Sequence, residues 1–166
     1  MEQESFRIKQ IVDWKAAVWA GLIAGVVFLV VGVILSAITL GSPTFMLRLS
    51  ASILLGADAV LPTTGPAALI LLVGVGIHLI VSILFAIVTA VIIYRWGIIV
   101  GFLGGALVGL AIYIINYYGT SLLLPWLYPM RNWMLLVSHV IFGAISGGIY
   151  ELLEEEIYVV DEGAVN

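Results

Sequence analysis

The chain contains no cysteine among its 166 residues. Disulfides, thiolate metal sites and a cysteine nucleophile are therefore excluded. Charge is nearly as scarce. Asp, Glu, Lys and Arg make up 10% of the residues, against about a quarter in a soluble domain. The six Lys and Arg are scattered and the net charge is −4, so no basic patch marks a nucleic-acid partner. No hydrolase, kinase, Walker or zinc motif appears. Ser138 beside His139 makes no triad, because no orienting carboxylate is placed near it. The chain reads as non-enzymatic, with no metal site and no resident cofactor expected.

What fills the sequence instead is apolar: 63% of the residues are hydrophobic. A soluble domain is nearer half, so the chain reads as an integral membrane protein. Four runs are long enough to span a bilayer, at about 16–40, 67–94, 98–118 and 132–150. The first follows Arg7, Lys9 and Lys15 and could mimic a signal peptide. At 25 residues it exceeds the roughly 7–15 of a signal h-region, and it reads as a retained span. The fold class is all-α: one four-span antiparallel helical bundle over residues 1–166, with an acidic tail at 151–166.

Three stretches lie outside the spans. Phe6, Ile8, Ile11, Val12 and Trp14 make a short amphipathic stretch expected to lie on the membrane face. The segment 43–66 is apolar but too interrupted to span. Phe45 to Leu55 reads as a short helix in loop 1, either capping the bundle at the interface or re-entering it. Re-entry would require protein or water to cover its backbone. The tail, rich in glutamate, reads as a solvated, fraying helix end. Lys and Arg in the short flanks favour cytoplasmic termini: Arg7, Lys9, Lys15 and Arg95 on that side against Arg48 and Arg131 on the other.

Glycine is spaced with purpose. Gly97, Gly101, Gly105 and Gly109 recur every fourth residue through GIIVGFLGGALVG. Ala17, Gly21 and Gly25 form a second ridge, and Gly74, His78, Ser82, Ala86 and Ala90 a third. His139, Gly143 and Gly147 form a fourth, followed by Glu151. In lipid, such ridges let helix backbones approach closely. There are more ridges than four helices need for themselves. That surplus points to docking on other membrane subunits, or on a second copy, as an accessory subunit of a larger respiratory or photosynthetic complex.

The spans also suggest a tandem repeat of two hairpins. GLIAGVV (21–27) parallels GFLGGALVG (101–109), and HLIVSILFA (78–86) parallels HVIFGAISG (139–147). Two-span copies keep one orientation, so the pseudo-twofold axis stands along the membrane normal.

His78 and His139 are the only histidines, and both lie inside spans, where ionisable groups are functional candidates by default. Three readings stay open. They are neutral structural residues, a proton-linked pair on the path of a small transporter or channel, or axial ligands of a b-type haem between bundle helices. Asn116 and Tyr117, with Trp126 and Arg131, form a candidate outer rim. It is an interface belt or a mouth for a headgroup, quinone or small solute.

Through GLIAGVV (21–27), HLIVSILFA (78–86), LPW (124–126) and SHVIFG (138–143), the chain resembles the YagU-like small bacterial inner-membrane proteins. The resemblance covers most of the four spans. It implies a bacterial inner membrane and a four-helix fold, and supplies no activity. His78 and His139 carry over only as motif members. The long acidic tail departs from the family pattern.

Overall fold

The structure is a computed structural model that describes residues 8–61, 67–155 and 157–160. Five α-helices dominate it: α1 (Trp14–Leu40), α2 (Phe45–Leu55), α3 (Ala67–Ile93), α4 (Ile98–Ile114) and α5 (Trp133–Leu153). A π-helical turn at Ile115–Gly119 extends α4, so that four helices are long and apolar enough to cross a bilayer.

Short polar residues and glycines set the helix ends. Asp13 caps α1, its carboxylate accepting the N–H groups of Lys15 and Ala16 at 3.0 Å. Asn132 caps α5 by accepting Leu135 N–H at 2.9 Å. Gly41 ends α1 in the left-handed region at φ 64°, a conformation costly for any residue with a Cβ. Gly97 opens α4 at φ 77°, and nothing lies within 4 Å of where its Cβ would stand. Gly97 was expected to pack against a second helix; it is a turn residue instead, selected by its positive φ.

The remaining glycines of that ridge do pack. A Cβ on Gly105 would overlap the carbonyl of Gly143, and one on Gly109 the carbonyl of His139. One on Gly101 would stand 3.0 Å from the Gly147 carbonyl and overlap the Glu151 side chain. In the first hairpin, Gly21 lies against Ile83 and Ala86, and Gly25 against Ser82. The two hairpins therefore share one register. Gly21 meets Ala86 and Gly25 meets Ser82, as Gly101 meets Gly147 and Gly105 meets Gly143. The paired positions are those matched by the sequence repeat.

The helices pack in the order α4, α5, α1, α3, with α2 laid along α3. α5 is the most enclosed of the four spans. Consecutive in the chain, α3 and α4 pack mainly on α1 and α5 rather than on each other. A cleft is left between them on the side away from their shared turn. Large apolar side chains such as Ile38, Leu72, Leu103 and Leu107 point outward, as lipid-facing residues do.

α2 does not lie flat across the helix ends. The Leu47 carbonyl sits against Gly74, seven residues or about 10 Å into α3, and Ala51 shares a small core with Ile70. α2 thus packs lengthwise beside the N-terminal end of α3. Arg48 is buried, its Nη1 donating to the carbonyls of Ala59 and Leu61 at 3.3 and 2.9 Å. Those bonds hold the turn Ala57–Val60 against α2.

The ends of the chain differ from expectation. Ile8–Ile11 is a strand: it pairs antiparallel with Ile157–Val160, Ile8 opposite Val160 and Ile11 opposite Ile157. α5 continues to Leu153 and then leaves as extended chain rather than as a fraying helix. Four spans return both ends to one side of the bundle, and the β-branched residues of the two segments suit strand pairing. The rest of the acidic tail beyond Val160 and the first seven residues lie outside the described residues.

Candidate functional site

The polar groups expected to matter converge at one place, between the α3–α4 cleft and the centre of the bundle. His78 lies one turn beyond Gly74 on α3, where the small-residue ridge brings it against α1. Its Nε2 donates to the carbonyl of Gly25 at 2.9 Å. His139 lies on α5 opposite Gly109. Its Nδ1 lies 2.7 Å from the Leu135 carbonyl, which can only accept, so Nδ1 carries the hydrogen. In the neutral ring Nε2 is then an acceptor, and Asn116 Nδ2 donates to it at 3.2 Å. Both nitrogens of His139 are satisfied.

The two imidazoles do not touch each other through a hydrogen bond. Phe28 of α1 lies between them, stacked on His78 with centroids 5.1 Å apart and edge-on to His139 at 5.0 Å. Tyr113 and Tyr117 meet His139 edge-on at 5.7 and 5.8 Å. Axial ligation of a haem by this pair would require the Nε2 atoms already bonded to Gly25 and Asn116, and the space that the Phe28 ring fills.

Beside the pair is a half-open cavity of about 120 Å³. Its floor includes Phe28 and Phe142, and its wall on the α2 side includes Met46 and Leu49. Its polar lining is His78, Ser82, Asn116, Tyr117 and His139, with Ser50 and Thr120 at the edge. No Lys, Arg, Asp or Glu among the described residues lines it. Among the described residues, His78 Nδ1, Ser82 Oγ, Tyr117 Oη and Asn116 Oδ1 have no hydrogen-bond partner.

Toward the end that carries the termini, the cavity is closed. The Gly101–Gly109 seam against α5 and the Gly21–Gly25 seam against α3 have no room for a methyl group. The site is a dead end on that side.

The candidate rim divides. Asn116 and Tyr117 turn inward to His139, because the π-helical turn at Ile115–Gly119 shifts the register of the chain where α4 ends. Trp126 and Arg131 stay at the loop end of the bundle. Trp126 Nε1 donates to Ser52 Oγ at 3.1 Å and so ties the 125–130 turn to α2. The guanidinium of Arg131 lies over the Tyr128 ring at 3.4 Å and near Tyr118 at 5.1 Å, an arrangement that stabilises a cation on an aromatic face. Phe28 was absent from the expected site, since nothing in an all-apolar run distinguishes a phenylalanine that separates two histidines. Ser82 was visible only as a ridge residue.

The ridges themselves are consumed. Gly21, Gly25, Gly101, Gly105, Gly109, Gly143 and Gly147 all meet helices of the same chain, and Gly32 and Gly74 meet α2.

Compared with protein families, with curated proteins and with solved structures, the chain matches none. The resemblance drawn from GLIAGVV, HLIVSILFA, LPW and SHVIFG rests on those residues alone.

Proposed function

We propose that this integral membrane protein is a binding protein, holding a small molecule in the cavity beside His78 and His139. The observation that carries the reading is the spare hydrogen-bonding capacity around that cavity. His78, Ser82, Asn116 and Tyr117 line one cavity, and each keeps a polar atom with no partner among the described residues. Polar atoms gathered in this way favour an occupant that supplies their partners. The closed floor favours holding over conduction, so a transporter would need a second conformation that opens the seams.

The accessory-subunit reading drew on a surplus of small-residue ridges. With those ridges spent inside the bundle, that argument loses its support, and the cavity outweighs it. The Lys and Arg distribution, together with the resemblance, supports a bacterial inner membrane with both termini in the cytoplasm, which puts the cavity in the outer half of the bilayer.

The test is native mass spectrometry of the protein extracted in mild detergent from the membrane in which it is made. A small adduct, lost on gentle activation and absent from a variant with a bulkier lining residue (Val81→Phe), supports the reading. Other polypeptides in fixed ratio, with no small adduct, overturn it in favour of an accessory subunit.

A further inference from the structure

Three features of the cavity narrow what it can hold. The first is charge. Every polar side chain in the lining, among the described residues, is of an uncharged type at neutral pH or a histidine whose bonds suit the neutral ring: Ser50, Ser82, Asn116, Tyr117, Thr120, His78 and His139. A carboxylate, phosphate or ammonium head would be buried there without a counter-charge, which is strongly unfavourable.

The second is the route. The mouth is flanked by the half-buried Ile77, Val81 and Phe85 of α3 and by Ile53 of α2, which is 44% exposed. These are apolar surfaces of a spanning helix and of the short helix packed along it. A ligand reaches the site sideways from the hydrocarbon, and so is itself lipid-soluble.

The third is size and polarity. About 120 Å³ is comparable to a protein cavity of roughly 150 Å³ that takes up benzene. One ring or a short chain fits inside, and anything longer trails through the mouth. The groups without partners include an acceptor only, His78 Nδ1, and hydroxyls that both donate and accept, Ser82 and Tyr117. A hydroxyl on the ligand satisfies both kinds at once. It donates to His78 Nδ1 and accepts from Ser82 or Tyr117. An ether or a hydrocarbon cannot donate, and leaves the imidazole bare.

We infer that the cavity binds an uncharged, lipid-soluble alcohol or phenol, its hydroxyl beside His78 and Tyr117 and its apolar tail directed out between α2 and α3, past Ile53 and Ile77. This rests on the proposed binding function, and names the ligand class for the same site.

The experiment uses the full chain in lipid nanodiscs and a photoreactive 4-pentylphenol bearing a diazirine on the alkyl chain, with empty nanodiscs as control. Labelled residues are mapped by peptide mass spectrometry. Unlabelled 4-pentylphenol, 4-pentylanisole and 4-pentylbenzoate then compete. The expected result is labelling at the mouth residues of α2 and α3, displaced by the phenol at concentrations about tenfold lower than by the anisole, with the benzoate weaker still. A tenfold gap corresponds to the loss of one buried hydrogen bond, about 1.4 kcal/mol.

Tyr117→Phe removes only a hydroxyl that bonds no described residue, and leaves the ring packed on His139. It should weaken the phenol several-fold and leave the anisole unchanged. Equal competition by phenol and anisole would overturn the hydroxyl assignment while leaving the binding site standing. Labelling confined to the outer lipid-facing surface, and not competed by any of the three, would overturn both.

Discussion

Gly105 and Gly143 face each other backbone to backbone across α4 and α5, each lying where the other's Cβ would be. No side chain can be added to either without moving a helix. This contact is the midpoint of the seam that closes the cavity from below, so packing and site are coupled through it.

The first prediction follows directly. Gly105→Leu or Gly143→Leu should lower the thermal stability of the purified bundle by more than the ~1–3 kcal/mol usual for overpacked cores, and should prevent its accumulation in the membrane in the worse case. Gly76→Ala is the control. Gly76 lies on an exposed face of α3 with nothing within 4 Å of a new Cβ, and its replacement should leave the melting temperature unchanged or slightly raised. Thermal unfolding followed by circular dichroism in detergent separates the two. Equal effects at Gly76 and Gly143 would show that the seam is not tight.

Asn116 and His139 give the second. Asn116→Leu removes the donor to His139 Nε2 and leaves that nitrogen bare in an aromatic surround. The expected cost is about 1–3 kcal/mol, seen as a lower melting temperature. Asn116→Gln cannot reach the ring from the same backbone position without displacing it, and should rescue little. A variant as stable as the parent would mean that the bond contributes nothing to holding the π-helical turn in place.

The third concerns pH at the terminal end. Burial pushes the Asp13 carboxyl up, but the N–H groups of Ala16, Glu155 and Lys15, with the Lys15 charge, outweigh it and hold it below its ordinary value of 3.8. With the folded value depressed, the stabilisation is fully present above pH 3.8 and is lost as pH falls through the lower, folded value. Asp13 Oδ2 accepts Glu155 N–H at 3.2 Å, and Asp13 N–H donates to Tyr150 Oη at the same distance. The protection of the Ala16 and Glu155 amides, taken relative to their intrinsic exchange rates, should therefore fall below that value and stay constant between pH 5 and 8. Asp13→Ala should show the low protection at every pH, with the ~1 kcal/mol loss of an N-cap.

The fourth tests orientation. The chain has no native cysteine, so single replacements report without background. Ser42→Cys, in the turn between α1 and α2, should react with a membrane-impermeant maleimide in intact cells. Trp96→Cys, in the turn between α3 and α4, should react only after lysis. The reverse pattern would put the termini and the closed end of the cavity on the outside.

Most of the frame could be read from residue type and spacing. The five helices begin and end within a few residues of expectation, because Asp13, Gly41, Gly97 and Asn132 are strong local signals. The pairing of the hairpins was visible as matched ridges, and both histidines come to one cavity because those ridges fix the depth of each. The parts that could not be read are those without a local code. A π-helical turn has no sequence mark, so Asn116 and Tyr117 looked like rim residues. Phe28 is one apolar residue among many. The Ile8–Ile11 pairing depends on a partner almost 150 residues away, brought near only by the return of the fourth span. The surplus of ridges was misleading, because sequence alone cannot say which neighbour a glycine faces; α2 took two of them.

The contact between α1 and α5 sets an order of assembly. The ribosome delivers α1 first and α5 last, yet the small face of α1, with Ala17, Ala20 and Gly21 fully or nearly buried, is completed by α5 and by the Asp13–Tyr150 bond. Until synthesis is nearly over, that face has only α3 beside it, and the two hairpins can drift as separate units in the bilayer. The protein therefore closes late, and a chain truncated before Trp133 would leave a lone glycine-lined α4 free to associate with whatever spanning helix it meets first.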